Sequence, residues 1–366
     1  MYSFSGKIKL VAIISMVVGL LGIGYSFIAT PSTVEALGAH ASHDPAHAEH
    51  VLHLLQNKPW AALYVAALFF MLISLGVLAF YAINRAAQAG WAPILFRVME
   101  GITGYLPIGA LIFFLLLVFS GLHFNHLFIW MDPAVVAHDT VIQGKTGYLN
   151  VPFFLVRTAI YMLGWIAYRQ ITRKLSKAQD QAHDNRPFIK AFKWSAGFLV
   201  FFLVSESMMS WDWVMSVDPH WFSTLFGWYV FGSLITSAIA AIILVTVTLK
   251  AQGYLQQVND SHLHDLAKYL FGFSIFWTYL WFSQYLLYWY SNIPEEVTYF
   301  VTRLEHYEPI VLSMLAINFL LPLLILVDSD IKRKPWVVGT MAVVILIGHY
   351  LDFFNMIMPA TVGDQW

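Results

Sequence analysis

His349 and Asp352 stand three residues apart inside an unbroken apolar run, so on a helix they share one face. An imidazole beside a carboxylate can pass a proton near neutral pH. The same two side chains would also suit a buried pair of purely structural value. Arg157 lies in another apolar run with nothing nearby in sequence to neutralise it, so it needs an anion from a different segment or a polar cavity. His123, His126, Asp132 and Asp139 belong to the stretch just before it. Together they suggest a polar cluster: an imidazole and a carboxylate to accept protons, and a guanidinium to hold a developing oxyanion. Helix-end capping and interface anchoring are the other use of such residues. Glu100 follows Arg97 by three positions, which fits an interfacial ion pair or a proton entry point with Tyr105 deeper in the membrane. Glu206 has Ser205 and Ser207 beside it and Asp212 just beyond, which suits one stage of a proton path or a silent protonated acid. Gln284, Tyr285 and Asn318 are candidates to line the same interior.

The elements that position these groups follow from composition. The chain has 366 residues, 59% of them hydrophobic and only 11% charged, with a mean hydropathy of +0.66. Soluble domains carry about 25% charge. A chain with less than half that cannot cover a water-facing surface, and disorder requires low hydrophobicity. The expectation is an all-α polytopic membrane bundle. A crossing needs ~20 apolar residues, and nine stretches qualify: about 10–29, 60–82, 98–122, 151–169, 193–211, 225–249, 267–290, 309–327 and 336–358. The odd count and the abrupt end at Trp366 suggest a tenth span beyond it.

The loops alternate in charge. With the N-terminus on one side, that side holds 16 of the 20 Lys and Arg residues, while 12 of the 21 acids fall on the other. The positive-inside rule then puts the N-terminus in the cytoplasm and residue 366 in the periplasm of a bacterial inner membrane. Net charge of −1 argues against a nucleic-acid partner. With no cysteine, the chain holds no disulfide, thiolate metal site, iron–sulfur cluster or covalent haem c. Haem b is not expected either, because only His349 is central. No metal ligand set is assigned. Residues 31–58 carry His40, His43, His47, His50 and His53 and read as a solvated amphipathic helix on the membrane surface, with a metal site as the alternative. The run 271–290 is crowded with Phe, Trp and Tyr. It reads as helix packing, or as a wall for a flat ring or a tyrosine ladder.

Several stretches carry a family resemblance. Ser205-Glu-Ser-Met-Met-Ser-Trp-Asp-Trp-Val-Met-Ser-Val-Asp-Pro-His-Trp-Phe-Ser-Thr224, then Phe226-Gly-Trp-Tyr-Val-Phe-Gly232, resemble the NrfD/polysulfide-reductase-like membrane subunits of bacterial alternative complex III, a quinol:cytochrome c oxidoreductase. So do His264-Asp265-Leu-Ala-Lys268, Phe282-Ser-Gln-Tyr-Leu and Trp289-Tyr-Ser-Asn-Ile-Pro-Glu-Glu. The resemblance runs from about residue 95 to the end and is greatest to the second, shorter subunit. It implies ten spans arranged as two four-helix bundles with flanking helices. On that pattern 1–30 is a peripheral helix, 31–58 the His-rich periplasmic segment, 59–213 and 214–360 the two bundles, and 361–366 the start of a further region. The implied substrate is menaquinol or ubiquinol. The implied partners are a sister NrfD-like subunit, multihaem cytochrome c subunits, an iron–sulfur protein, small membrane subunits, lipids and a terminal oxidase, with haem c and iron–sulfur clusters in those partners. The implied roles are a proton path through Glu100, Tyr105, Glu206, Asp212, His349 and Asp352, and a quinone pocket at His123, His126, Asp139 and Arg157. A purely structural assembly subunit is the rival from another class. A secondary transporter is less favoured, because no paired Gly/Pro-interrupted spans are evident.

Overall fold

The computed structural model describes residues 6–35 and 45–366, and among these every regular element is helical. Lipid offers backbone groups no partner, so a chain this apolar must satisfy its hydrogen bonds within helices. In chain order they are α1 (Gly6–Ala29), α2 (Pro45–Ala86), α3 (Phe96–Ile102), α4 (Leu106–Gly121), α5 (Pro133–His138), α6 (Thr140–Gln143), α7 (Val151–Gln181), α8 (Arg186–Trp213), α9 (Phe226–Ala251), α10 (Asp260–Ser291), α11 (Pro294–His306), α12 (Glu308–Leu315), α13 (Leu321–Ile325) and α14 (Pro335–Val362). Proline occupies the first turn of α5, α7, α8, α11, α12 and α14, where its missing N–H costs nothing. Asn150 caps α7 by accepting from the Phe153 amide at 3.0 Å, and Asn259 with His262 forms a capping box on α10.

Eight described helices, some formed from consecutive shorter pieces, are long and apolar enough to cross a membrane, so the protein is a multi-pass membrane protein. Nine crossings were expected from the sequence. The remaining one, α10, has 32 residues and thus the length, but its Tyr, Trp, Ser and Gln lower its hydropathy below the other eight. It alternates by face: Trp277, Leu280 and Gln284 are buried, while Tyr279, Phe282, Trp289 and Tyr290 are exposed.

The long helices fall into two sets. In the first, α2 packs on α4 and α8, and α7 packs on α8 and α4. In the second, α9 packs on α10 and α14, α12 on α14, and α10 on α13. The sets are not separate: α2 packs on α9 and α14 as well, and α8 packs on α9. Helix α1 has no buried residue and touches α2, where the Phe27 and Trp60 ring centres are 5.1 Å apart. Between α12 and α13, Ala316–Leu320 form a turn of π-helix.

One expectation is corrected here. The His-rich segment does not form a separate solvated helix as far as it is described. From Pro45 onward it continues into the second span as a single helix of 42 residues, with Pro59 inside it. Ala48, Val51 and Leu52 are buried, which a solvated surface helix would not do. His40 and His43 lie outside the described residues. Asn57 ties this helix to both neighbours, donating to the His126 and Thr361 carbonyls at 3.1 Å each and accepting from the His126 amide at 2.9 Å.

Candidate functional site: buried ionisable groups

Asp352 lies near the middle of α14 and is fully buried, as is His349. Three donors converge on its carboxylate. The Tyr229 hydroxyl donates to Oδ1, the Ser233 hydroxyl to Oδ2 at 2.5 Å, and the Trp277 indole N–H to Oδ2 at 2.8 Å. Tyr229 and Ser233 are one turn apart on α9 and so present one face to α14. His349 Nδ1 is 3.5 Å from Asp352 Oδ2, and neither ring nitrogen of His349 has a hydrogen-bond partner. A proton reaching His349 therefore has a carboxylate within reach. Asn318, on the π-turn, is fully buried with both amide atoms unpartnered, and its side chain lies against Gly348. π-turns are rare and often mark functional sites.

Arg303 adds a buried cation about one turn along α14 from this pair. It projects from α11, is only 5% exposed, and donates through Nε to the Asn355 carbonyl at 3.0 Å and through Nη2 to the Met356 carbonyl at 3.1 Å. The physical reason lies in α14 itself. Pro359 has no N–H, so the carbonyl four residues earlier, that of Asn355, loses its helical donor. The guanidinium replaces it and stacks 3.3 Å from the Tyr299 ring. Among the described residues no carboxylate pairs with Arg303. The interior Pro in α14 was the available signal.

In the first bundle, Arg157 and Asp212 form a bidentate pair, Nε to Oδ2 at 2.9 Å and Nη2 to Oδ1 at 2.8 Å. Arg157 is 4% exposed and Asp212 fully buried. Arg157 Nη1 donates to the Tyr148 carbonyl at 3.0 Å, the Tyr161 hydroxyl donates to Asp212 at 3.1 Å, and the Tyr148 and Phe153 rings lie 3.8 and 4.3 Å from the guanidinium. Beside the pair is a cavity of about 530 Å³ whose wall includes Tyr148, Trp211, Met215, Ser216, Trp221 and Phe222 but neither Arg157 nor Asp212.

Of the expected cluster of His123, His126, Asp139 and Arg157, each residue with a hydrogen-bond or ring partner finds it elsewhere. Asp139 caps α6, accepting from the Val141 and Ile142 amides, and meets His220 at 2.5 Å. His126 stacks on His53 with ring centres 4.5 Å apart, and burial followed by the adjacent His53 pushes its imidazole below the ordinary value. His123 is exposed and has a left-handed backbone, φ 62°. Each nitrogen of Arg157 already donates within the chain. Among the described residues no hydrogen bond or ion pair joins these four to one another, and Asp212 takes the guanidinium.

Asp139 gives a pH test. The Ile142 amide, and next the His220 imidazole, hold its carboxyl below the usual carboxylate value. A depressed value in the folded state means the contribution is present above the unfolded value and is lost as pH falls through the folded one. Hydrogen exchange at the Val141 and Ile142 amides, corrected for intrinsic rate, should show constant protection from pH 7 to about 5 and a loss only below about 3.8, the ordinary Asp value. Loss already at pH 5 would contradict this cap.

Glu100 is buried on α3 and fully engaged. Oε2 accepts from Arg97 at 2.9 Å and from Arg173, and Oε1 from the Tyr81 hydroxyl at 3.3 Å. Tyr105 lies on the bundle exterior with its ring against Gly109, and none of these bonds reaches it. Glu206 is buried in α8 and its Oε1 has no partner. Neighbouring bonds link α7 and α8: the Trp165 indole donates to Ser205 at 2.9 Å and the Trp213 indole to Thr158 at 2.9 Å. Comparison of the chain with protein-family models and with curated proteins finds no match.

Proposed function

We propose that this chain is a membrane subunit of a quinol:electron acceptor oxidoreductase of a bacterial inner membrane, contributing scaffold and a proton path. The observation that carries the path is Asp352 in the middle of α14, holding three donors with the unpartnered imidazole of His349 at 3.5 Å. A carboxylate at that depth is costly to bury, and such groups usually mark proton or ion paths. Asp352 and His349 hold and relay a proton through the second bundle. Glu100, between its arginines, and Glu206 are further stations in the first. The resemblance of 205–232 and 264–296 to alternative complex III subunits supports the assignment to a quinol-oxidising complex. The cysteine-free sequence fits haem c and iron–sulfur centres carried by partner subunits. Orientation follows the basic loops, with the N-terminus cytoplasmic.

The test has two arms. Tagged chain drawn from its native membrane should bring haem-bearing and iron–sulfur subunits with it; a chain that comes down alone overturns membership of the complex. In that complex, Asp352→Asn should slow quinol oxidation and the proton release coupled to it, with haem content unchanged. The size is that of a lost proton-transfer group, on the order of 10²-fold in rate. Unchanged rates and proton yield would favour a purely structural subunit.

A further inference from the structure

The end of the first bundle that carries Arg97 and Arg173 has more positive charge than the chain neutralises. Arg97 and Arg173 share Glu100, and Arg97 also reaches Asp180. Arg85 donates to Tyr81 at 3.1 Å and stacks on Phe96 at 4.3 Å. Arg169 is different. Its Nε is buried without a partner, and no hydrogen bond or ion pair of its guanidinium is found among the described residues. The group lies beside Gly104, with Nη2 3.6 Å from where a Cβ would stand, and Gly101 nearby has open space around it. Exposed Lys174 and Lys177 follow on α7.

Below this end the surface turns apolar. Ile108, Leu111, Ile112 and Leu115 of α4 are exposed in succession, and so are Val156, Ile160 and Leu163 of α7. The two helices pack together, with Arg169 at the end where α4 begins. Positive charge above an apolar surface is complementary to one amphiphile: acyl chains along the helices and a phosphate at the guanidinium.

We infer that Arg169, with Arg173 and Arg97 at its rim, is a binding site for the phosphate of an anionic phospholipid whose chains lie along the exposed faces of α4 and α7. Guanidinium suits this better than ammonium, because its planar fork can give two parallel bonds to phosphate oxygens. The site does not depend on the functional reading above.

Native mass spectrometry of the full chain in detergent tests it, with phosphatidylglycerol and phosphatidylcholine titrated in parallel. Phosphatidylglycerol should be retained in preference. Arg169→Gln should weaken it about fivefold, the share of one cation at an anionic headgroup, and leave phosphatidylcholine unchanged. Arg169→Lys keeps the charge but not the fork, so its phosphatidylglycerol affinity should fall between those of the parent and Arg169→Gln. Equal affinity for the two lipids overturns the proposal, as does unchanged phosphatidylglycerol binding in Arg169→Gln. Complete displacement by inorganic phosphate at equal concentration would make this a site for free anions and overturn it too.

Discussion

Arg157→Ala is expected to destabilise the protein by about 3–5 kcal/mol, because it leaves the fully buried Asp212 charged and without its cation. Two parallel bonds disappear, and only the Tyr161 hydroxyl remains on that carboxylate. The packing of the guanidinium between Tyr148 and Phe153 is lost as well. The asymmetry of buried pairs supplies a control. Replacing both partners, Arg157→Met with Asp212→Leu, removes charge and counter-charge together and should cost far less than either single change. Thermal unfolding of the purified chain in detergent measures all the variants. A single Arg157→Ala variant as stable as the parent would mean that Asp212 is neutral in the fold, and the ion-pair reading would fall.

That pair also shows what a sequence reveals. Both residues stand out as charges near apolar runs, yet they are 55 positions apart and no local periodicity joins them. By sequence proximity Arg157 pairs more readily with His123, His126 and Asp139, whereas the fold gives its guanidinium to Asp212. His349 and Asp352 were legible as a pair because helical spacing alone places them on one face. Their donors were not, since Tyr229, Ser233 and Trp277 come from two other helices. Hydropathy located the crossings because lipid penalises unsatisfied backbone everywhere along a span. It separates α10 least well, since indole and phenol groups count as polar yet face lipid or the bundle comfortably. Pro59 reads as a helix boundary, but tertiary contacts carry α2 through it. Arg303 sits on an amphipathic helix whose polar residues read as solvated. Only the gap left by Pro359 in α14 draws it inward.

Gly76→Leu should separate the two helix sets. Gly76 lies where α2 crosses α9, and a Cβ there would stand 2.6 Å from the Leu234 carbonyl oxygen, 2.8 Å from Ala238 Cβ and 2.9 Å from Leu234 Cδ1. Two of these neighbours cannot swing aside: one is backbone and one is a Cβ. Small residues at such crossings let membrane helices approach closely, and dispersion falls steeply once they part. Overpacking costs about 1–3 kcal/mol, and the larger Leu side chain belongs at or above the upper end. The displacement has a second consequence, because Leu234 follows Ser233 on α9. Pushing α9 outward draws Ser233 and Tyr229 away from Asp352. The variant should therefore lose stability and also impair whatever Asp352 does, although it touches neither. Gly197→Ala is the matching control: a Cβ there meets nothing within 4 Å, so its effect should stay within about 0.5 kcal/mol. Unfolding midpoints of the two variants decide the matter. If Gly76→Leu behaves like Gly197→Ala, the close crossing of α2 and α9 does not hold the two bundles together.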